Sequence, residues 1–290
     1  MTTPRAAPAG RSRGLIAASP LAPALVYFLL LFVGPLLVLV VFSFFTFRDL
    51  RWHAELNLGN YVTAMTDPAY RTILIRTVTV AAATTIAVLA IAYPFTYVIT
   101  FVLPRRRQVL YFLVLVTLFG SYLVRIYAWR TILGREGLIN ATLTGVGLIP
   151  EPLDILLSSP LAVGIALTNF LLPLAVLPIY ASMQNVSPSL LEAARDLGAG
   201  PLRVMRQVAL PLTMPGVRVA AAFTFIAAAA DFATPALLGG ASGRMAGGAI
   251  VREFGQTLDW PLGAALAVTL VAVLVLVVVI GWAALGRIAR

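Results

Sequence analysis

Two carboxylates, Glu192 and Asp196, stand four residues apart in Ser187-Pro-Ser-Leu-Leu-Glu-Ala-Ala-Arg-Asp-Leu-Gly198, and a third, Asp231, is the only charge in the run 219–243. Residues four apart share a helix face, so Glu192 and Asp196 repel each other mildly, and only Arg195 lies within reach of Glu192. A carboxylate pair presented in this way suits the arginines of a partner. A second reading, an interfacial helix whose acids face water, stands beside it. Little else in the 290 residues can do chemistry. There is no cysteine and one histidine, His53, which excludes disulfides, thiolate chemistry and Cys or multi-His metal sites. All 21 basic residues are arginine. Without a lysine there is no Walker A loop to reach ATP phosphates, so any ATP-driven work belongs to a partner chain.

The elements that carry these residues are written in the hydropathy. Hydrophobic residues make up 60% of the chain and charged residues 11%, against roughly 45–50% and 25% in ordinary soluble domains. A helix crosses the hydrocarbon core with about 20 apolar residues. The charge-poor runs predict six spans, near 22–46, 74–101, 109–130, 160–183, 214–238 and 262–285, in an all-α integral membrane protein. Residues 1–21 read as a tail, 22–286 as one transmembrane domain and 287–290 as a second tail. The first apolar run exceeds a signal-peptide core of about 7–15 residues and has no small-residue cleavage site after it, so it reads as a retained helix. Pro35, Pro94, Pro173, Pro178 and Pro235 interrupt the spans, as packing kinks or as openings along a solute path.

Arginine placement sets the orientation. Both tails, the 102–108 turn and the 184–218 loop hold twelve of the 21 arginines and only two acids, Glu192 and Asp196. That side is predicted to be cytoplasmic, with both termini inside. The arginines cluster at helix ends, where anionic lipid headgroups account for them, and nucleic acid is not an expected partner.

The loop 187–211 carries its own helix punctuation. Ser187 caps a helix with Pro188 at its first position, or Ser189 and Glu192 form a capping box; the two starts exclude each other. Gly198 ends that helix in a left-handed cap, and Pro201 opens a second short helix. The pattern Glu192-Ala193-Ala194, Gly198 and Leu210-Pro211, with Val208 where isoleucine is usual, resembles the EAA signature of permease subunits of binding-protein-dependent ABC importers. The resemblance implies the type I (MetI-like) permease fold, with this loop as a cytoplasmic coupling helix. By that resemblance Glu192 contacts an ATPase subunit, Ala193 and Ala194 fill its cleft, and Gly198 permits the turn.

Ser121-Tyr-Leu-Val-Arg125-Ile-Tyr127-Ala-Trp129-Arg130, Leu133-Gly-Arg-Glu-Gly-Leu-Ile-Asn140 and Asp231-Phe-Ala-Thr-Pro235-Ala-Leu-Leu-Gly-Gly240 extend the likeness over 22–286, to the spermidine/putrescine-type permeases. Importers of iron or opine-type compounds share parts of these segments. The resemblance implies a bacterial inner-membrane subunit that works by alternating access. Its partners would be an ATPase dimer that binds the ATP and magnesium, a second related permease and a periplasmic binding protein. No catalytic residue, cofactor or metal is expected in this chain; a self-sufficient secondary transporter is the competing class. By helical rise, Asp231 lies about 20 Å beyond Arg218, and Arg125 about 25 Å beyond Gln108, both in the outer half of a core about 30 Å thick. Charges there are functional candidates. Asp231 can take an ammonium group, with Tyr127, Trp129 or Phe232 giving cation–π contact. Alternatively Asp231 and Arg125 pair as a structural bridge. Asn169, in the fourth span, reads as an interhelical hydrogen bond.

Overall fold

The computed structural model describes residues 22–49 and 51–288. The expected tail 1–21, and Ala289 and Arg290 of the expected tail 287–290, lie outside the described residues. Helix α1 (Ala22–Phe42) leads through a hairpin of β1 (Thr46–Arg48) and β2 (Arg51–His53), with Thr46 opposite His53, to α2 (Gly59–Thr66). Then follow α3 (Pro68–Val102), α4 (Arg107–Leu118), α5 (Tyr122–Leu133), α6 (Leu138–Gly145) and α7 (Pro160–Met183). The loop helices α8 (Pro188–Asp196) and α9 (Pro201–Leu212) precede α10 (Met214–Ala230), α11 (Ala233–Leu238), α12 (Ala246–Gly255) and α13 (Trp260–Ile288).

Four helices, α1, α3, α7 and most of α13, are long and apolar enough to cross a membrane unaided. Two bent helix pairs bring the candidates to six where each pair, a broken span or a re-entrant loop, counts as one crossing. The stretch 109–130, expected as one helix, is α4 and α5, with α4 meeting Tyr122–Gly145 at 90°. The expected span 214–238 ends its first helix at Ala230 and restarts at Ala233, so Asp231 sits in a break rather than within a helix. Ahead of it, α9 meets α10 at 79°.

Local sequence explains the firm starts. Asp67 caps α3 by accepting from the Ala69 N–H (2.7 Å), and Ser159 caps α7 by accepting from the Ala162 N–H (3.2 Å). In both, proline fills the first position, where its missing N–H costs nothing. Inside α7, Pro173 and Pro178 leave the helix unbroken. The core is the trio α3, α7 and α10. Its contact faces set small residues, among them Ala81, Ala92, Ala162, Ala175, Ala220 and Ala228, all fully buried, among larger ones such as Leu167, Leu171 and Ile179. Lipid offers no hydrophobic drive for helix association, so close backbone approach must supply the packing energy. The tightest approach is at Gly216 of α10, where a Cβ would come within 2.5 Å of the Pro178 carbonyl. Helix α13 lies outside this trio, against α12, α10, α2 and α1.

Candidate functional site

Of the two starts open to the loop helix, Ser187 is the one that forms, with Pro188 in the first turn of α8. Its hydroxyl pairs with that of Ser189 (2.7 Å), not with a helix N–H, and the capping box is absent among the described residues. At the other end Gly198 adopts φ +83°. Its N–H donates to Arg195 O (2.8 Å), and the Ala199 N–H donates to Ala194 O (3.0 Å). These two bonds define a Schellman stop, and glycine enters its left-handed backbone without a Cβ penalty.

Leu191 anchors α8 to the body at 2% exposure, while Glu192 and Ala193 face outward and Ala194 is half-buried. Leu197 is 89% exposed and Leu190 49%. With Ala193 they form an apolar stripe at positions i, i+3 and i+7 on the free face of α8. Leu190 and Leu197 were missed in the sequence, although that spacing was the signal. Leu210 and Pro211 lie apart from the tip, half-buried next to the corner with α10. At that corner fully buried Thr213 donates to Ala209 O (2.7 Å) and pairs with the Tyr93 hydroxyl of α3 (3.1 Å), while Ser182 of α7 donates to Thr213 O (3.3 Å).

The second cluster forms where the two spans break. Arg125 reaches back to donate to the carbonyls of Thr117 and Gly120, closing the open end of α4, and its guanidinium lies 5.3 Å from the Phe170 ring centroid. Asp231 accepts from the N–H groups of Ala233 (3.1 Å) and Thr234 (3.3 Å) at the start of α11. Each charge therefore sits where a helix dipole favours it. The expected alternative of an Arg125–Asp231 bridge is not made: the ion pairs among the described residues are Arg135–Asp154 and Arg252–Glu253.

The link between the two breaks is instead Tyr122, whose hydroxyl shares a hydrogen bond with Thr234 Oγ1 (2.6 Å) beside the Asp231 carboxylate, and whose ring packs on Phe170 (4.5 Å). Tyr122, Phe170 and Thr234 were missed; Tyr122 stood inside the Ser121–Arg130 segment, but its role depends on the breaks. Of the expected aromatics, half-buried Trp129 lines a groove between α3 and α7. Tyr127, two residues away, is exposed on the opposite side of α5, and exposed Phe232 places its Cβ against Gly247. Asn169 is exposed, and no described residue bonds its amide, contrary to the expected interhelical bond.

At the far end from α8, Glu253 of α12 is 3% exposed. Its Oε1 accepts from Arg252 Nε (3.1 Å), Arg252 Nη2 (2.7 Å) and the Tyr70 hydroxyl (3.0 Å), and its Oε2 accepts from Thr257 Oγ1 (2.6 Å). Burial pushes this carboxyl up, but the bonds from Thr257, Arg252 and Tyr70 outweigh it and hold the group below the ordinary carboxylate range.

Residues 108–287 match the family model described as binding-protein-dependent transport system inner membrane component. The chain is 36% identical over 262 residues to the spermidine/putrescine transport system permease protein PotB of Escherichia coli (strain K12), covering 90% of this chain and 94% of that protein. Its fold is similar to a chain of a bacterial ABC transporter involved in the import of the acidic polysaccharide alginate, with TM-score 0.72, 17% identity and coverage of 96% and 97%. The same similarity extends to that transporter in complex with an alginate pentasaccharide-bound periplasmic protein, with TM-score 0.71, 17% identity and coverage of 92% and 93%.

Proposed function

This chain belongs to the family of binding-protein-dependent transport system inner membrane components, the permease subunits of ABC importers, and we propose that it carries polyamines, spermidine or putrescine, across the bacterial inner membrane. The observation that carries this reading is 36% identity spanning 94% of a spermidine/putrescine permease. The chain sits with both termini in the cytoplasm, its arginine-dense side inward. ATP hydrolysis takes place in a separate ATPase dimer, which binds the ATP and magnesium. A second related permease completes the pathway, and a periplasmic binding protein delivers the solute.

In this reading α8 is the coupling helix. Glu192 meets an arginine of the ATPase, while Ala193, Leu190 and Leu197 enter its cleft, an apolar stripe desolvated only in the complex. Closure of the ATPase dimer pulls α8, and the corner at Thr213 passes the movement to α10. At the opposite end the broken spans provide the solute's first contact. Asp231 is half-buried. A carboxylate oxygen already holding one N–H keeps a lone pair for an ammonium. Tyr122 and Phe170 add aromatic surface, and Arg125, bonded to the α4 carbonyls, has its charge partly offset by that helix end.

The test is uptake of labelled putrescine and spermidine in a host lacking this gene and any redundant polyamine importer, restored with wild type or Gly198→Asp. The wild type restores uptake. Gly198→Asp inserts in the membrane but does not, because aspartate at φ +83° distorts the stop of α8. Asp231→Asn lowers uptake with the coupling loop intact. Uptake that is the same with and without the gene rejects polyamines and turns the search to iron, opine and amino-acid solutes. Normal uptake by Gly198→Asp rejects the coupling role.

A further inference from the structure

A cavity of about 370 Å³ lies between α12 and the α11 residues Pro235 and Ala236. Arg244, Gly248, Arg252 and Gln256 line it at intervals of four residues, so it runs along one face of α12 with Arg244 at its head. Both arginines are accessible. Arg244 is exposed and makes no ion pair among the described residues. The Arg252 side chain is 42% exposed; Glu253 takes its Nε and Nη2, which offsets its charge and leaves Nη1 to donate. The frame is fastened to α3 at both ends, because the Ala246 N–H donates to Thr77 Oγ1 (2.8 Å) and the Tyr70 hydroxyl donates to Glu253 (3.0 Å). A frame held in this way loses little freedom when a group enters. An uncompensated guanidinium repels a polycation and pairs with a carboxylate, fork to fork. The cavity therefore suits an acid and not the solute.

We propose that this cavity docks an acidic side chain, an aspartate or a glutamate, of the periplasmic binding protein. This rests on the polyamine reading and the orientation above, which put α12 on the periplasmic side. The carboxylate pairs with Arg244, and Arg252 Nη1 and the Gln256 amide, further along α12, meet backbone groups of the inserted loop. One wall of the cavity is α11, the helix whose start Asp231 caps. Docking thus masks the Arg244 charge near the solute's first contact and braces the break in the span. The bare arginine turns a free cation away, and the docked acid admits the one that the binding protein delivers.

The experiment places the complete importer in proteoliposomes and varies the concentration of the spermidine-loaded periplasmic binding protein. Arg244→Gln raises KM for the loaded binding protein about tenfold, the loss expected for one hydrogen-bonded charge, while ATP hydrolysis without the binding protein stays as in wild type. Added salt weakens the wild type more than the variant, since the variant has no charge pair left to screen. Gly248→Leu also raises KM without touching a charge. A Cβ added there meets nothing within 4 Å, so the side chain fills the cavity and shuts the acid out. Arg71→Gln, at an exposed arginine of α3 outside the cavity, leaves KM unchanged. An unchanged KM in Arg244→Gln or in Gly248→Leu, or an equal rise in Arg71→Gln, overturns the docking, while wild-type uptake leaves the polyamine reading standing. An equal fall in hydrolysis with and without the binding protein also overturns it, and assigns Arg244 to a free anion or a lipid phosphate. A wild-type importer that the spermidine-loaded protein does not stimulate fails at the polyamine reading itself, and the docking falls with it.

Discussion

The two charges set among the apolar spans are each held by a helix end, not by one another. Arg125 closes the carbonyl end of α4, and Asp231 the N–H end of α11. This removes the need for a buried ion pair, whose desolvation can exceed its attraction. A carboxylate of another kind is Glu253, with four donors and almost no solvent contact. Its folded pKa is depressed because those donors outweigh burial. Above the ordinary carboxylate range, about 4.3, the group is ionised in the folded and unfolded chain alike, and its stabilisation is fully present. As the pH falls the unfolded chain takes up the proton first, and the contribution drains away until the folded pKa has been passed. Thermal unfolding of the detergent-solubilised importer from pH 7 to pH 3 should therefore fall more steeply for wild type than for Glu253→Gln. Parallel curves would show that Glu253 contributes nothing to acid sensitivity.

At the scale of elements, the breaks were the part least legible in the sequence. The run 214–238 reads as one apolar helix, and nothing local to Asp231 says that its carboxylate caps a new start; the cap makes sense only once the chain has turned. The bend after α4 is equally hidden, since Gly120 and Ser121 are common in membrane helices and the closing Arg125 comes a turn later. By contrast, the stop of α8 was legible, because the left-handed cap is a local property of Gly198 and needs no tertiary partner. Glu253 was unreadable for the opposite reason: one of its donors, Tyr70, lies 183 residues away. The junction of α10 with α7 carries its own prediction. Any side chain at Gly216 meets Ser182 Cβ and the Pro178 carbonyl, both on α7. Gly216→Ala should cost about 1–3 kcal/mol through overpacking, seen as a lower melting temperature of the solubilised importer. Gly281→Ala in α13, where an added Cβ meets nothing within 4 Å, should not lower it. Equal behaviour of the two variants would refute the close packing of α7 and α10.

Across the whole molecule, the proposed coupling movement at α8 would pass to the broken spans by way of the trio α3, α7 and α10, which the corner at Thr213 fastens together. Thr213 Oγ1 donates to Ala209 O, so in its shared bond with Tyr93 it is free to accept. The Ser182 hydroxyl holds the Thr213 carbonyl from α7. If α8 and α9 turn as a lever, these contacts decide whether α3 follows α10 or slips past it. Tyr93→Phe removes only the hydroxyl from a side chain that is 7% exposed, and leaves the ring in place. Loss of one buried hydrogen bond is worth about 1 kcal/mol, roughly a fivefold shift in an equilibrium between two arrangements. The expected outcome is divided: solute-stimulated ATP hydrolysis by the reconstituted importer persists, because α8 and its proposed docking stripe are untouched, while solute moved per ATP drops severalfold. A proportional loss of hydrolysis and uptake would mean that Tyr93 supports only the fold, and unchanged transport per ATP would place the lever's fulcrum elsewhere in the bundle.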